Sequence, residues 1–361
     1  MNLYYFIFVW IGFMAIVSQQ MKVTKVTSVC GERVERWKLI WAFVAFAPVI
    51  YLAAFTTPRS DTGLYLTLYK NLDISWTALK EALMTDDSGK GFFVFQWIIK
   101  NVFRGSETAF RLILALLHCI PVLYVFRKYS DNYIMAIFLF VATGGHIAWM
   151  MNGLRQYLAV CIIMAATPLM LKRKFVSLIV VILLATTIHS SAILMLPVVF
   201  IIQGKAWNHK TIFFIIVTII MMYAFSRYTG LLDAMLVETE YSGIMANAAE
   251  MGDDGTNPIR VLVNSIPVLL SLLGKKQIDA ENNQVINLCV NMSIITTGLY
   301  LVSMVTSGIT IGRLPIYTSL YSFIALPYFV DKIFTKRSAK IVNILMVGFY
   351  FMYYLYAYRN F

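Results

Sequence analysis

The stretch AFRLILALLHCIPVLYVFRKYSDNYIMAIFLFVATGGHIAWMMNGLRQYLAVCIIMAATPLMLKRK, residues 109–174, decides the fold. It holds three apolar runs, 109–126, 132–149 and 154–170, each near the roughly 17–25 residues a membrane-spanning helix needs. The first and third runs end in basic clusters, Arg127–Lys128 and Lys172–Arg173–Lys174. Basic residues retain loops on the cytoplasmic side of a membrane. The second run therefore leads outward, and the turn before the third run places Arg155 at the outer face.

The rest of the chain repeats this pattern. Hydrophobic residues make up 60% of it and charged residues 13%, and the mean hydropathy is +0.73. Soluble chains are usually about 45–50% apolar and about 25% charged. A water-soluble enzyme, a disordered regulator and a secreted disulfide scaffold are excluded. Nine more apolar runs complete a set of twelve: 2–18, 38–55, 175–189, 191–202, 211–226, 258–274, 285–306, 314–330 and 341–357. The break at His189-Ser190-Ser191 and Pro197 allow a kinked or re-entrant element over 175–202. The first run has no basic leader and no small-residue cleavage site, so it reads as a retained helix. These features predict an all-α integral membrane protein, one polytopic domain over 1–361 with about 12 transmembrane helices.

Alternate connections are basic: Lys22, Lys25, Arg33, Arg36 and Lys38; Arg127 and Lys128; Lys172, Arg173 and Lys174; Lys205 and Lys210; Lys275 and Lys276; Lys332, Lys336, Arg337 and Lys340. These six loops hold 18 of the 30 Lys and Arg residues. With twelve helices all six fall on one side, which predicts that side to be cytoplasmic and both termini to be outside. The net charge of +12 then reflects topology, and no basic-aromatic platform suggests nucleic acid. The four cysteines show no metal spacing.

Two long segments face outward, 56–108 and 227–257, and twelve of the 18 acidic residues map to the outer side. Within 56–108, the run near 91–103 is too short to span and reads as an interfacial or re-entrant helix. Outer elaborations of this size place recognition or chemistry on that face. No internal repeat is visible, which argues against a repeat-built transporter.

Ionisable groups near apolar spans are functional candidates. Arg59, Arg155 and Arg313 come from distant stretches and share one membrane depth. A guanidinium fork suits phosphate oxygens, so a diphosphate at the outer surface is the natural ligand. The competing reading is that each arginine snorkels to headgroups or pairs with an acid. Arg104, Arg111, Arg227 and Arg260 are weaker candidates. Asp61 is either a general base for a sugar hydroxyl or a turn or capping aspartate. His189 is either a proton-transfer group or a histidine hydrogen-bonded between helices. Ser190 lacks the G-x-S-x-G context of a nucleophile. Asp253, Asp254 and Gly255 form a weak cation motif.

Taken in order, R-S-D-T-G-L-Y (Arg59 to Tyr65), G-F-F-V-F (Gly91 to Phe95), N-G-L-R-Q (Asn152 to Gln156), I-H-S-S-A (Ile188 to Ala192) and I-G-R-L-P-I-Y (Ile311 to Tyr317) resemble the EpsG family of Wzy-type polysaccharide polymerases, over roughly 1–330. The family pattern would put a glutamate-proline pair before the glycine-phenylalanine motif, where this chain has Ser88, Gly89 and Lys90. The resemblance implies a GT-C-like helical membrane fold and a glycosyltransferase acting at the outer face of the bacterial cytoplasmic membrane. Repeat units linked to undecaprenyl diphosphate would be joined into O-antigen, capsule or exopolysaccharide, with the lipid diphosphate leaving. Arg59, Arg155 and Arg313 would hold the diphosphate and Asp61 or His189 would act as base. Tyr65, Gln156 and Tyr317 would contact sugar, with Tyr69 and Tyr157 as further stacking candidates. No metal or cofactor is expected, because arginines can stand in for a cation. Expected partners are the lipid-linked oligosaccharide, membrane lipid, a flippase and a chain-length regulator. The alternatives are a lipid-linked oligosaccharide flippase and a membrane acyltransferase acting on sugars.

Overall fold

A computed structural model of the chain describes residues 3–57, 61–85, 89–227, 250 and 252–359. The chain divides into two compact units, Met1–Leu196 with Lys336–Phe361, and Pro197–Thr335.

The first unit opens with α1 (Leu3–Gln20), a hairpin of β1 (Thr24–Val29) and β2 (Glu32–Trp37), and α2 (Leu39–Phe55). Three helices lie within the segment 56–108: α3 (Asp61–Asn71), α4 (Trp76–Met84) and α5 (Lys90–Val102). Then come α6 (Glu107–Tyr129), α7 (Tyr133–Ala142), α8 (Gly145–Asn152), α9 (Leu154–Ala165), α10 (Thr167–Leu171) and α11 (Phe175–Ile188). A 3₁₀ turn (Ser190–Leu194) leads into α12 (Met195–Ile201).

The local chemistry explains these boundaries. Ser106 caps α6 by accepting from the Ala109 N–H. Glu107 in its first turn and Arg127 and Lys128 in its last complement the helix dipole. Helix α5 packs Phe92, Gln96 and Ile99 inward and leaves Ile98 and Val102 exposed, a single-faced amphipathic pattern.

The second unit holds α13 (His209–Arg227), α14 (Pro258–Leu273), α15 (Lys275–Glu281), α16 (Gln284–Met304), a 3₁₀ turn (Ile311–Arg313), α17 (Ile316–Ser319) and α18 (Ser322–Ile333). The chain returns to the first unit with α19 (Lys336–Arg359). Helix α16 is the most enclosed of the span-length helices, 78% buried over its apolar window. Its inward polar groups are paired. Ser293 meets Ser322 at 3.0 Å and Thr296 meets Thr318 at 2.7 Å. Asn291 Nδ2 donates to the carbonyls of Ile202 and Lys205. Such pairs join helices where apolar packing alone gives no directionality.

Among the described residues, five helices are long and apolar enough to cross a membrane: α1, α6, α13, α16 and α19 over Lys336–Ala357. Two bent pairs, α7 with α8 (65°) and α14 with α15 (70°), raise the number to seven. All twelve apolar runs contain helix, but five to seven are span-capable rather than twelve. Helices α2, α9 and α11 have 17, 12 and 14 residues. At 1.5 Å per residue they reach about 18–26 Å, less than the roughly 30 Å hydrocarbon core.

The fold is also not purely α. The basic segment after α1 is an antiparallel hairpin, with Thr24 opposite Trp37 and Val29 opposite Glu32. Its two-residue turn is Cys30–Gly31, at φ 50° and 91°, the left-handed pair that hairpin turns favour. Arg36 is 9% exposed. It donates through Nε to the Lys128 carbonyl and through Nη2 to Asp131 Oδ1, both at 2.9 Å. It therefore clamps the hairpin onto the α6–α7 connection rather than serving as a free loop charge.

Candidate active site

Helix α3 begins at Asp61, whose exposed carboxylate sits in the first turn, where the dipole favours an anion. Tyr65 follows one turn later on the same helix face, and Tyr69 one turn after that. Tyr69 is fully buried and stacks on Phe110 with centroids 4.3 Å apart. Tyr65 packs edge-on against Phe92 of α5 at 5.7 Å. The Thr62 hydroxyl donates to the Met151 carbonyl. These contacts fix the rotation of α3 and set the Tyr65 hydroxyl on Arg155.

Arg155 is the second residue of α9 and is half-buried. Its Nε donates to Tyr65 Oη at 3.1 Å, and its guanidinium carbon lies 6.0 Å from the Tyr65 ring centroid, within cation–π range. The other side of the guanidinium lies against Gly89. A Cβ at residue 89 would stand 2.5 Å from Arg155 Nη1 and 3.6 Å from the Ile188 carbonyl oxygen. Gly89 also has φ +90°, a conformation that side chains rarely adopt. Its carbonyl accepts from the Phe92 and Phe93 N–H groups, which starts α5. Gly91 then packs on Thr187 at the end of α11.

The third component follows α11. His189 caps the 3₁₀ turn, its Nδ1 accepting from the Ser191 backbone N–H at 3.4 Å. The Ser191 hydroxyl lies 2.8 Å from the same nitrogen. Gln156, beside Arg155 and 4% exposed, donates Nε2 to Ser191 Oγ at 3.3 Å. Four separate stretches of chain thus meet within one unit: the start of α3, the Gly89 turn, the start of α9 and the end of α11.

The EpsG family's sequence model matches residues 39–361. The chain belongs to the EpsG family. This is a family of Wzy-type polysaccharide polymerase-like proteins. The match takes in every residue of the site above and runs to the end of α19. It leaves out α1 and the hairpin, so it starts and ends later than the expected 1–330. No curated protein and no solved structure matches the chain.

Several other expected site residues of this EpsG chain fall outside the described residues or in the second unit. Arg59 falls in 58–60, Asp86 and Asp87 in 86–88, and most of the 227–257 segment in 228–249; all are outside the described residues. Arg313 and Tyr317 belong to the second unit. Arg313 ends a 3₁₀ turn with its side chain exposed. Tyr317 is 2% exposed, and Tyr69 and Tyr157 are fully buried. None of these three rings offers a face for sugar stacking, which corrects that expectation; Tyr65 is the half-exposed one. Arg111 lines a small pocket on the neighbouring stripe of α3, with Thr62, Leu66 and His118, and donates to the Thr56 carbonyl.

Asp253 departs from the expected cation motif. Its Oδ1 accepts from the Gly255 and Gly308 N–H groups, each at 3.0 Å. Its Oδ2 accepts from the Ser307 hydroxyl at 2.7 Å and the Ile309 N–H at 2.9 Å. Both oxygens are thus turned onto four protein donors, which fasten the loop before α14 to the turn preceding Arg313. Burial works to raise the Asp253 pKa, but the hydrogen bonds from Ile309, Ser307, Gly255 and Gly308 outweigh it and hold the carboxyl below its ordinary value. Because the folded pKa is depressed, this stabilisation is present above the ordinary value near 3.9 and is lost as pH falls through the folded one. Asp253→Asn would turn an amide donor toward N–H groups. Hydrogen bonds to a charged group contribute about 1.5–3 kcal/mol. Amide exchange at Gly255, Gly308 and Ile309 is therefore expected to quicken by roughly 10–100-fold. Unchanged exchange at all three would show that the clamp contributes nothing.

Proposed function

We propose that this protein is a bacterial surface-polysaccharide polymerase that joins repeat units carried on undecaprenyl diphosphate, at the outer face of the cytoplasmic membrane. The observation that carries this reading is the convergence of Tyr65, Gly89, Arg155 and the Gln156–Ser191–His189 chain at one place. Family membership supports the polymerase class. The six basic loops support a multi-pass arrangement with both termini outside, and the resemblance supports a GT-C-like glycosyl transfer.

The reaction breaks the bond between the anomeric carbon of the growing glycan and its diphosphate oxygen. That oxygen keeps the electron pair. A hydroxyl of the acceptor repeat unit forms the new bond to the anomeric carbon, and its proton passes to a base. Charge thus builds on the diphosphate, and Arg155 at the amino end of α9 is suited to stabilise it, because fixed donors in a poorly hydrated site need no reorganisation. Asp61, one turn before Tyr65, is the base. The half-exposed Tyr65 ring is suited to stack on a sugar.

Analysis of surface glycan in a strain lacking the protein tests this reading. A polymerase predicts that single repeat units still reach the surface while the ladder of longer chains disappears. Loss of all surface material, single units included, would instead identify a flippase.

A further inference from the structure

His189 meets two donors at one ring nitrogen. The Ser191 backbone N–H has no alternative role, since an amide N–H only donates. It points at Nδ1 from 3.4 Å, so in the neutral imidazole Nδ1 carries the lone pair. The Ser191 hydroxyl, 2.8 Å from the same atom, must then be a donor too. Its oxygen accepts in turn from Gln156 Nε2 at 3.3 Å. Donation therefore runs in one direction, from Gln156 through Ser191 to His189. Ser191 and Gln156 are both 4% exposed, so water does not compete freely for either bond. The partner at one ring nitrogen fixes the proton on the other.

We infer that His189 is held with its proton on Nε2 and acts as a hydrogen-bond donor to a phosphate oxygen of the leaving diphosphate, with Ser191 and Gln156 as its positioning residues. The tautomer follows from the geometry alone; the phosphate ligand rests on the polymerase reading. A ring with Nδ1 occupied and Nε2 protonated has no lone pair with which to take a proton from the acceptor hydroxyl. The base role therefore falls to Asp61. The same ring is well formed for an anion: it offers N–H without carrying a charge of its own. Arg155 stands close by, because the Gly89 position adjoins both its Nη1 and the carbonyl of Ile188, the residue before His189.

The test uses the full-length protein in lipid bilayers with ¹⁵N-labelled histidine. The chain has four histidines, and the His189 signals are those lost in His189→Ala. The expected result is a proton bonded to Nε2 and none on Nδ1 at neutral pH; a proton on Nδ1 overturns the inference. Turnover of the lipid-linked repeat unit supplies the second arm. His189→Gln keeps a donor near the Nε2 position and cannot act as a base. It is expected to retain at least about a tenth of the rate, whereas His189→Ala loses about 10²-fold, the usual worth of one such donor. Ser191→Thr is expected to rescue the roughly tenfold loss in Ser191→Ala. Equal loss in His189→Gln and His189→Ala removes the donor role. A protein with the Nε2 proton that forms no polymer upholds the tautomer and overturns the polymerase reading instead.

Discussion

Arg155→Lys is expected to stop chain growth, lowering turnover by about 10²–10³-fold while protein level and membrane insertion stay unchanged. Lysine keeps the positive charge, so simple attraction to an anion would survive. It has neither a planar fork nor a second nitrogen. In the structure Nε is spent on Tyr65 Oη at 3.1 Å, and Nη1 faces the space that Gly89 leaves open. A single ammonium cannot hold the tyrosine and meet a phosphate at once. The measurement is polymer formed from lipid-linked repeat units by the purified variant, beside its thermal unfolding. A normal glycan ladder from Arg155→Lys would remove this residue from diphosphate binding. Arg313, in the second unit, is a separate candidate and needs its own lysine variant.

Asp61→Asn is expected to lower turnover by about 10²–10⁴-fold, the usual contribution of a general acid–base, with little change in the apparent affinity for the repeat unit. The substitution preserves size and shape and removes the capacity to accept a proton. A capping role would behave differently. Asparagine caps a helix about as well as aspartate, so a purely structural Asp61 would leave the rate near wild type. Steady-state kinetics on the purified protein separates the two outcomes. A variant within a few-fold of wild-type turnover would leave Asp61 as the first residue of a helix and nothing more.

Much of the helical framework can be read from apolar run length. All twelve runs contain helix, and α5 falls at Lys90–Val102 where 91–103 is expected. Hydropathy does not register where a run breaks. The α7–α8 bend occurs at Thr143 and Gly144, and Gly144 has φ +70° inside an otherwise continuous apolar run. Trp149 packs where a Cβ on Gly153 would stand, so α8 gives way to α9 there. The hairpin is hidden for another reason. Its Lys and Arg residues serve as topology signals, which draws attention from the Cys30–Gly31 turn and its flanking alternation.

The site divides in the same way. Arg155, Gln156, His189 and Tyr65 stand out because ionisable groups and short motifs are conspicuous in a hydrophobic chain. Gly89 does not, because its requirement for a missing side chain comes from an arginine on a distant helix. Ser191 is a small hydroxyl beside a histidine, and only the three-dimensional path from Gln156 gives it a role. Asp253 sits in a pattern that suggests a cation, whereas three of the four donors that satisfy it come from residues 307–309, far along the sequence.

The Arg36–Asp131 clamp joins residues 95 positions apart. A ribosome delivers the hairpin long before it delivers its anchor. The ribbon must therefore wait for its anchor until α2 and α6 have been made and the α6–α7 connection has emerged. Closure of this bond then marks, within the molecule, the moment at which everything between Arg36 and Asp131 has been delivered and folded back onto the ribbon.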